Sequence, residues 1–353
     1  MRLLTIVGNR PQFIKAWPLS HAIRDAGLDE AVLHTGQHYD AGLSDVFFEE
    51  LELAPPRYRL AAGGGTAAEQ LAAMLPGIES AIREVEPHWV IVFGDTNSTL
   101  AGSLAAASAQ TPLAHIEAGL RSHDRSMPEE INRILSDRLS QALFCPSQLA
   151  VDNLAREGIH EGVHEVGDVM RDVADLVAPL ARERSTALTD HKLTRQGYLL
   201  LTVHRQANAA AAPLRRIATA IDELDEPVIF PTHPRTRALI DELELDFGTN
   251  AKLVEPLGLL DFTALLMSAR AVLTDSGGIQ KEAYWHGVPC VTLRDATEWP
   301  ETIDAGWNEL VGTDPTAITA AAAAAAPGPK RGNLYGNGRA AHSIARVLAT
   351  MAR

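Results

Sequence analysis

The sequence predicts an α/β chain built from two doubly wound, Rossmann-like domains. Three observations carry this expectation. Short apolar runs recur along the chain with helix-compatible stretches between them, the pattern of parallel βαβ units. The alternation pauses once, near Gly167-Asp168, and a new apolar run opens at Tyr198. The 353 residues suffice for two domains of ordinary size. The expected division is 1–168 and 169–340, with 341–353 a closing helix able to pack back on the first domain. A hinge is expected around 168–195.

The elements follow in order. Leu3–Val7 reads as a strand ending at Gly8, and Pro11 suits the first turn of a helix running to about Ala26. Ala31–Thr35, Trp89–Phe93, Leu113–Ile116, Ala142–Cys145 and Val163–Val166 read as further strands, with a small-residue helix over Leu100–Ala109. A polar helix over Arg171–Thr189 follows the pause. Tyr198–Val203, Val228–Pro231, Lys252–Val254, Ala271–Thr274 and Val288–Leu293 then give the strands of the second half. Thr319–Ala326 is nearly all alanine and reads as a helix of little further content; His342–Met351 has apolar residues at helical spacing.

Composition bounds the function. Hydrophobic residues make up 46% and charged residues 22%, the balance of a globular chain, and no apolar run approaches the roughly 20 residues of a membrane span. The first apolar stretch is too short for a secretion signal. A net charge of -14 argues against a nonspecific nucleic-acid binder and requires any polyanionic ligand to be met by local positive groups. The two cysteines, Cys145 and Cys290, each close an apolar run beside proline. They read as buried reduced thiols of a cytoplasmic protein, and no metal-ligand spacing stands out.

The stretch richest in chemistry is Val272–Ala283, VLTDSGGIQKEA. A strand ends in Ser276-Gly277-Gly278 and a helix begins at once. Glycines let an anion approach backbone N–H groups, and a helix start adds free donors and the positive end of its dipole. The stretch reads as a phosphate cradle or simply as a tight strand-to-helix turn; Glu282, a turn further on, favours the former as an acceptor for a ligand hydroxyl.

Other polar residues fall at strand ends, where open parallel sheets bind ligands. They are Asn9 and Arg10, Asp95, Glu117, His204 and Arg205, His233, and Asp275 with Ser276. One crevice lined by both domains accounts for them all. Arg10 suits a bidentate phosphate or sugar contact. Lys15, a turn further along, suits either the same task or a solvated face. Asp95 and Glu117 suit a general acid and base, or helix caps and ion-pair partners. Ser126-Met127-Pro128-Glu129 fits a capping box, which would make Glu129 structural. His204 suits a diphosphate contact or a proton shuttle.

Five segments together resemble the non-hydrolysing UDP-N-acetylglucosamine 2-epimerase family. They are Gly8-Asn9-Arg10-Pro11-Gln12-Phe13-Ile14-Lys15, Gly94-Asp95-Thr96, His115-Ile116-Glu117-Ala118-Gly119-Leu120-Arg121, Met127-Pro128-Glu129-Glu130-Ile131-Asn132-Arg133 and Asp275-Ser276-Gly277-Gly278-Ile279-Gln280-Lys281-Glu282. The likeness runs in register to about residue 340. It implies a GT-B type fold with the ligand cleft between the domains, a homodimer, and epimerisation of a UDP-sugar at C2 without a cofactor or metal. It implies that UDP leaves C1 as the C2 proton is removed, that a 2-acetamidoglucal forms, and that UDP re-adds. It matches Asp95, Glu117 and Glu129 to the proton-transfer carboxylates, with His204 beside them. It matches Arg10, Lys15, Arg205, His233, Ser276, Gly277, Gly278 and Glu282 to the nucleotide-sugar site, with Phe262 near the uracil. Gln37, His38 and Gln70 correspond to a site where substrate activates some bacterial members.

The sequence also departs from the family pattern. Trp299 stands where many members have Arg, Ala207 where an acidic residue is usual, and Ala67 where His is common. The Trp subgroup shares the Arg10-Pro11-Gln12-Phe13-Ile14-Lys15 run and resembles epimerases of UDP-2,3-diacetamido-2,3-dideoxyglucuronate, the alternative substrate. A GT-B glycosyltransferase is the reading from another class.

Overall fold

The computed structural model describes residues 1–37, 55–205 and 208–351. The chain divides into two compact units. Unit 1 comprises Met1–Asp175 with Tyr335–Arg353, and unit 2 comprises Leu176–Leu334.

Unit 1 is built on a seven-stranded sheet, each neighbouring pair parallel. Its strands are β1 Arg2–Val7, β2 Asp29–His34, β3 Tyr58–Arg59, β4 Trp89–Phe93, β5 Leu113–Ile116, β6 Ala142–Cys145 and β7 Val163–Glu165, in the order β3-β2-β1-β4-β5-β6-β7. The central strands bury both faces, which is why they read as continuous apolar runs instead of alternating ones. One face packs under helix α1, Arg10–Asp25, and the C-terminal helix α14, Ala340–Met351, through Phe13, Leu19, Ile23, Ile344 and Leu348. The other face packs under α2, Ala67–Val85, and α3, Asn97–Ser108, through Met74, Ile78, Ala101 and Ala105. Helices α4, Pro128–Leu139, and α5, Gln148–Arg156, follow β5 and β6.

Unit 2 repeats the plan with six parallel strands. They are β8 Leu199–Thr202, β9 Val228–Pro231, β10 Ala251–Val254, β11 Ala271–Thr274, β12 Cys290–Thr292 and β13 Asn308–Leu310, in the order β10-β9-β8-β11-β12-β13. Its connecting helices include α8 Ala211–Asp222, α9 Pro234–Glu242, α10 Leu259–Ser268, α11 Gly277–His286, α12 Pro300–Asp304 and α13 Pro315–Ala324. The expected helix over 171–189 forms as α6 Val169–Arg184 and α7 Ala187–His191, broken at Ser185-Thr186. The expected strand over 288–293 shortens to β12, where Pro289 has no N–H for a ladder bond.

In both units the strand order reverses once, between β1 and β4 and between β8 and β11. Such a switch point leaves a crevice beyond the carboxyl ends of the two strands, because the connections leave in opposite directions.

Candidate active site

At the switch point of unit 1, β1 delivers Asn9-Arg10 and β4 delivers Gly94-Asp95-Thr96, with Glu117 at the end of the adjoining β5. Asn9 caps α1, its side chain accepting from Gln12 N–H, so the helix starts at once with Arg10 exposed in its first turn. Gln12 turns its amide inward. Its Oε1 accepts from Gly8 N–H at 2.7 Å, and its Nε2 donates to the Phe93 carbonyl at 2.7 Å. The ends of β1 and β4 are thereby tied together. Gly8 is required here: a Cβ would lie 1.8 Å from Ser98 Oγ.

The two strand-end carboxylates each have a cation. Lys15 donates to Glu117, and Arg133 donates to Asp95. Lys15 is largely buried, which alone would lower its pKa; the adjacent Glu117 charge and hydrogen bond, with Asp168 and Asp95 further off, outweigh burial and raise it. Glu117 takes left-handed backbone at φ 66°, unusual for a residue with a side chain. Gly94 is also left-handed, and its Cβ position lies 3.5 Å from Glu117 Oε2. A buried network fixes this geometry. His115 Nε2 faces the Gly94 carbonyl at 2.6 Å and its Nδ1 faces Asp137 at 2.7 Å, while Asp137 also accepts from Gly119 N–H and Arg121. Burial opposes the charge on Asp137, but His115 and Arg121 prevail and hold its pKa low.

At the switch point of unit 2, Asp275 is fully buried and its carboxylate accepts the backbone N–H groups of His204 and Arg205, at 3.2 and 3.0 Å. This joins the ends of β8 and β11. His204 and Arg205 remain 49% and 39% exposed, open to a ligand. Ser276 caps α11, so Gly277 and Gly278 form its first turn and their N–H groups have no intrahelical acceptor. Glu282 Oε1 lies 4.0 Å from the Cβ position of Gly278. Beside Gly277 stands the loop after β12: Trp299 Nε1 and Glu298 Oε2 lie 3.1 and 3.4 Å from its Cβ position. Lys281, buried, sits 3.7 Å from the centroid of the Trp299 ring, a cation–π contact that holds the indole in place.

The remaining candidates are placed as follows. His233 caps α9, accepting from Arg235 N–H at 3.3 Å. Phe262 is half-buried on α10 against the core of unit 2. Gln37 is buried and accepts from Ser98 N–H and Oγ; Gln70 accepts from Asn97. Both therefore bind the start of α3. His38 and Ala207 lie outside the described residues. The capping box expected at Ser126 does not form. Met127 is the cap residue of α4, without a side-chain cap bond, and Ser126 gives both N–H and hydroxyl to Asp124. Glu129 is exposed in the first turn, while Glu130 is buried and accepts from Ser122, His123 and Arg133.

Sequence reasoning gave no role to Arg133, Arg294 or Glu298. The spacing of Glu130 with Arg133, and of Arg294 with Glu298, was the available signal.

Residues 21–349 match the family model described as UDP-N-acetylglucosamine 2-epimerase. The chain belongs to the UDP-N-acetylglucosamine 2-epimerase family. A UDP-2,3-diacetamido-2,3-dideoxy-D-glucuronate 2-epimerase of Pseudomonas aeruginosa is 45% identical, over 99% of this chain and 100% of that protein. A UDP-N-acetylglucosamine 2-epimerase of Methanocaldococcus jannaschii is 41% identical over 99% of each. A crystal structure of the M. jannaschii UDP-GlcNAc 2-epimerase in complex with UDP-GlcNAc and UDP superposes with a TM-score of 0.88 at 40% identity, covering 99% of this chain and 100% of that one. The fold is the GT-B fold of these epimerases.

Proposed function

We propose that the protein interconverts UDP-N-acetylglucosamine and UDP-N-acetylmannosamine by inverting C2. The carrying observation is that its two switch points bear complementary chemistry. Unit 2 offers uncommitted N–H donors at the start of α11, with His204 and Arg205 beside them, suited to a leaving diphosphate. Unit 1 offers Asp95 and Glu117, each held by a cation and tied to a rigid strand end, suited to moving a proton.

The steps follow from the substrate's chemistry. The C2 proton is weakly acidic, so its removal needs help from departure of the diphosphate. A carboxylate takes that proton, the C2–H pair becomes the C1–C2 double bond, and the C1–O pair leaves with UDP. In return, a proton is delivered to the opposite face of C2 as the UDP oxygen re-attacks C1. Donors that tighten on the developing diphosphate charge lower the barrier; those that bind substrate equally lower only KM. Asp95, Glu117 and Glu129 carry the protons. Arg10, Lys15, His233, Phe262, Ser276, Gly277, Gly278 and Glu282 hold the nucleotide sugar. The family resemblance offers Gln37, His38 and Gln70 as candidates for an activating site; Gln37 and Gln70 are bonded to the start of α3, and His38 lies outside the described residues.

A second reading is 2-epimerisation of UDP-2,3-diacetamido-2,3-dideoxyglucuronate. Its support is the P. aeruginosa relative, more similar than the M. jannaschii one. One experiment decides between them. Each nucleotide is incubated alone in deuterated water, and C2 deuteration and the epimer are followed by NMR. Exchange with the acetylglucosamine nucleotide supports the first reading; exchange with the diacetamido uronate alone supports the second. Exchange with neither, and release of UDP only with an acceptor sugar, points to a transferase.

The same reading includes a homodimer, testable by sedimentation, and a cytoplasmic location. Cys145 and Cys290 are free, buried thiols, each pushed up to about 12 by burial. Among the described residues no helix is long and apolar enough to cross a membrane.

A further inference from the structure

Glu298 stands at the mouth of the α11 cradle and binds both arginines near it. Its Oε1 accepts from Arg294 Nη2 at 2.8 Å and from Arg205 Nη2 at 3.2 Å; its Oε2 accepts from Arg294 Nη1 at 2.8 Å. The same Oε2 lies 3.4 Å from the Cβ position of Gly277, the first residue of α11. Partial burial opposes its charge, but the Arg294 hydrogen bonds and the two guanidinium charges hold its pKa at about 2. Glu298 is therefore a carboxylate at every physiological pH. It places a fixed negative charge beside the N–H donors that suit a ligand phosphate.

The two arginines are not bound alike. Arg294 is four residues away, mostly buried at 14% exposure, and grips both carboxylate oxygens. Arg205 makes one longer bond and is more exposed. A bidentate, sheltered pair outlasts a single exposed bond. Arg205 is the partner that a stronger anion can take.

We propose that Glu298 is an internal stand-in anion, a positioning residue that holds Arg205 at the cradle until a nucleotide diphosphate takes the guanidinium over. Resting on the functional reading above, this makes the affinity for UDP a net quantity. Arg205's gain on the diphosphate is reduced by the bond it gives up and by the carboxylate that stays nearby. The arrangement keeps the cradle's cation ordered when empty and sets how readily UDP departs.

The test is UDP binding by calorimetry to the full chain and to Glu298→Gln, which keeps the shape and removes the charge. Glu298→Gln is expected to bind UDP roughly threefold to tenfold more tightly. Arg205→Met is expected to cost more affinity in the Glu298→Gln background than in the parent. Should Glu298→Gln not fold, Glu298→Asp withdraws the charge by one methylene and should tighten binding in the same direction, by less. A purely structural brace for the 294–299 loop gives the opposite sign. Unchanged or weaker UDP binding by a folded variant, with the parent binding normally, overturns the stand-in role alone. A parent that does not bind UDP overturns the functional reading with it.

Discussion

The two switch points share a strand order but solve opposite problems. In unit 1 the strand ends present acids, and each acid is paired: Glu117 with Lys15, Asp95 with Arg133. In unit 2 the buried acid, Asp275, is spent on backbone N–H groups, and what faces outward is a helix start with His204 and Arg205. A doubly wound sheet fixes where a ligand goes, not what is done to it. The chemistry is set by four or five residues at the strand ends. A buried acid is held by a cation, as Glu117 is, or by backbone N–H groups, as Asp275 is; donors need only an open helix turn.

The contrast breaks most readily at Glu117. On the proposed function, Glu117→Gln keeps the size and removes one of the proton-carrying carboxylates, so C2 deuterium exchange should fall by roughly 10²- to 10⁴-fold while UDP affinity, which that proposal assigns to unit 2, stays within about twofold. A parallel loss of UDP binding would show that the two functions are not divided as proposed. Lys15→Met probes the same pair for stability. Lys15 and Glu117 are 16% and 8% exposed, so removing the cation leaves a buried carboxylate alone. Urea melts should show a loss of about 3 kcal/mol, partly restored in the Lys15→Met/Glu117→Gln double variant.

Unit 2 should respond in the reverse way. Gly277 has no left-handed φ, and alanine favours a helix over glycine. Gly277→Ala should change Tm only slightly, because the helix preference of alanine offsets the small shift that Trp299 and Glu298, at 3.1 and 3.4 Å from its Cβ position, must make. UDP affinity should fall about tenfold, since the methyl group blocks the phosphate's approach to the N–H donors. A large drop in Tm without loss of UDP binding would place the glycine's value in packing.

Acid sharpens the comparison further, because unit 1 holds a histidine buried as the neutral base. Burial, with the Arg59 charge nearby, lowers His34 from 6.5 to about 4. The sign follows: the unfolded chain takes up this proton first, so the stability is complete above pH 6.5 and is lost as pH falls through 4. The full span is worth about 3 kcal/mol. His34→Gln should flatten the fall in unfolding free energy between pH 7 and pH 4.5 relative to the parent; identical slopes would remove His34 from the account.

Much of this was legible in the sequence. Apolar runs located eleven of the strands because parallel strands buried on both faces leave a strong, local signal. The short edge strands β3 and β13 went unnoticed, being two and three residues long with little apolar content. The strand-end polar residues were readable for the same reason as the strands. The cations that hold the acids were not: Arg133 lies 38 residues from Asp95, and only the fold brings them together. Glu298 was invisible as a cradle neighbour for the same reason, since the loop after β12 reaches α11 only through the parallel pairing of β11 with β12.

The smallest effect tests how far a local motif can be trusted. Two segments carry the spacing of a capping box, Thr66 with Glu69 and Ser126 with Glu129. The first forms: Thr66 accepts from Glu69 N–H, and the Glu69 carboxylate accepts from Thr66 N–H at 2.7 Å, opening α2. The second does not. Asp124, two residues before Ser126, captures its hydroxyl at 2.6 Å and its N–H at 2.9 Å, leaving Met127 as an uncapped start to α4. A competing acceptor within the loop outweighs a cap that has yet to be assembled. Thr66→Ala should cost about 1 kcal/mol of unfolding free energy, and Ser126→Ala only a few tenths. Equal losses in urea melts would mean that Ser126 caps α4 in solution, and Glu129 would then be held by the helix start and not available to a substrate.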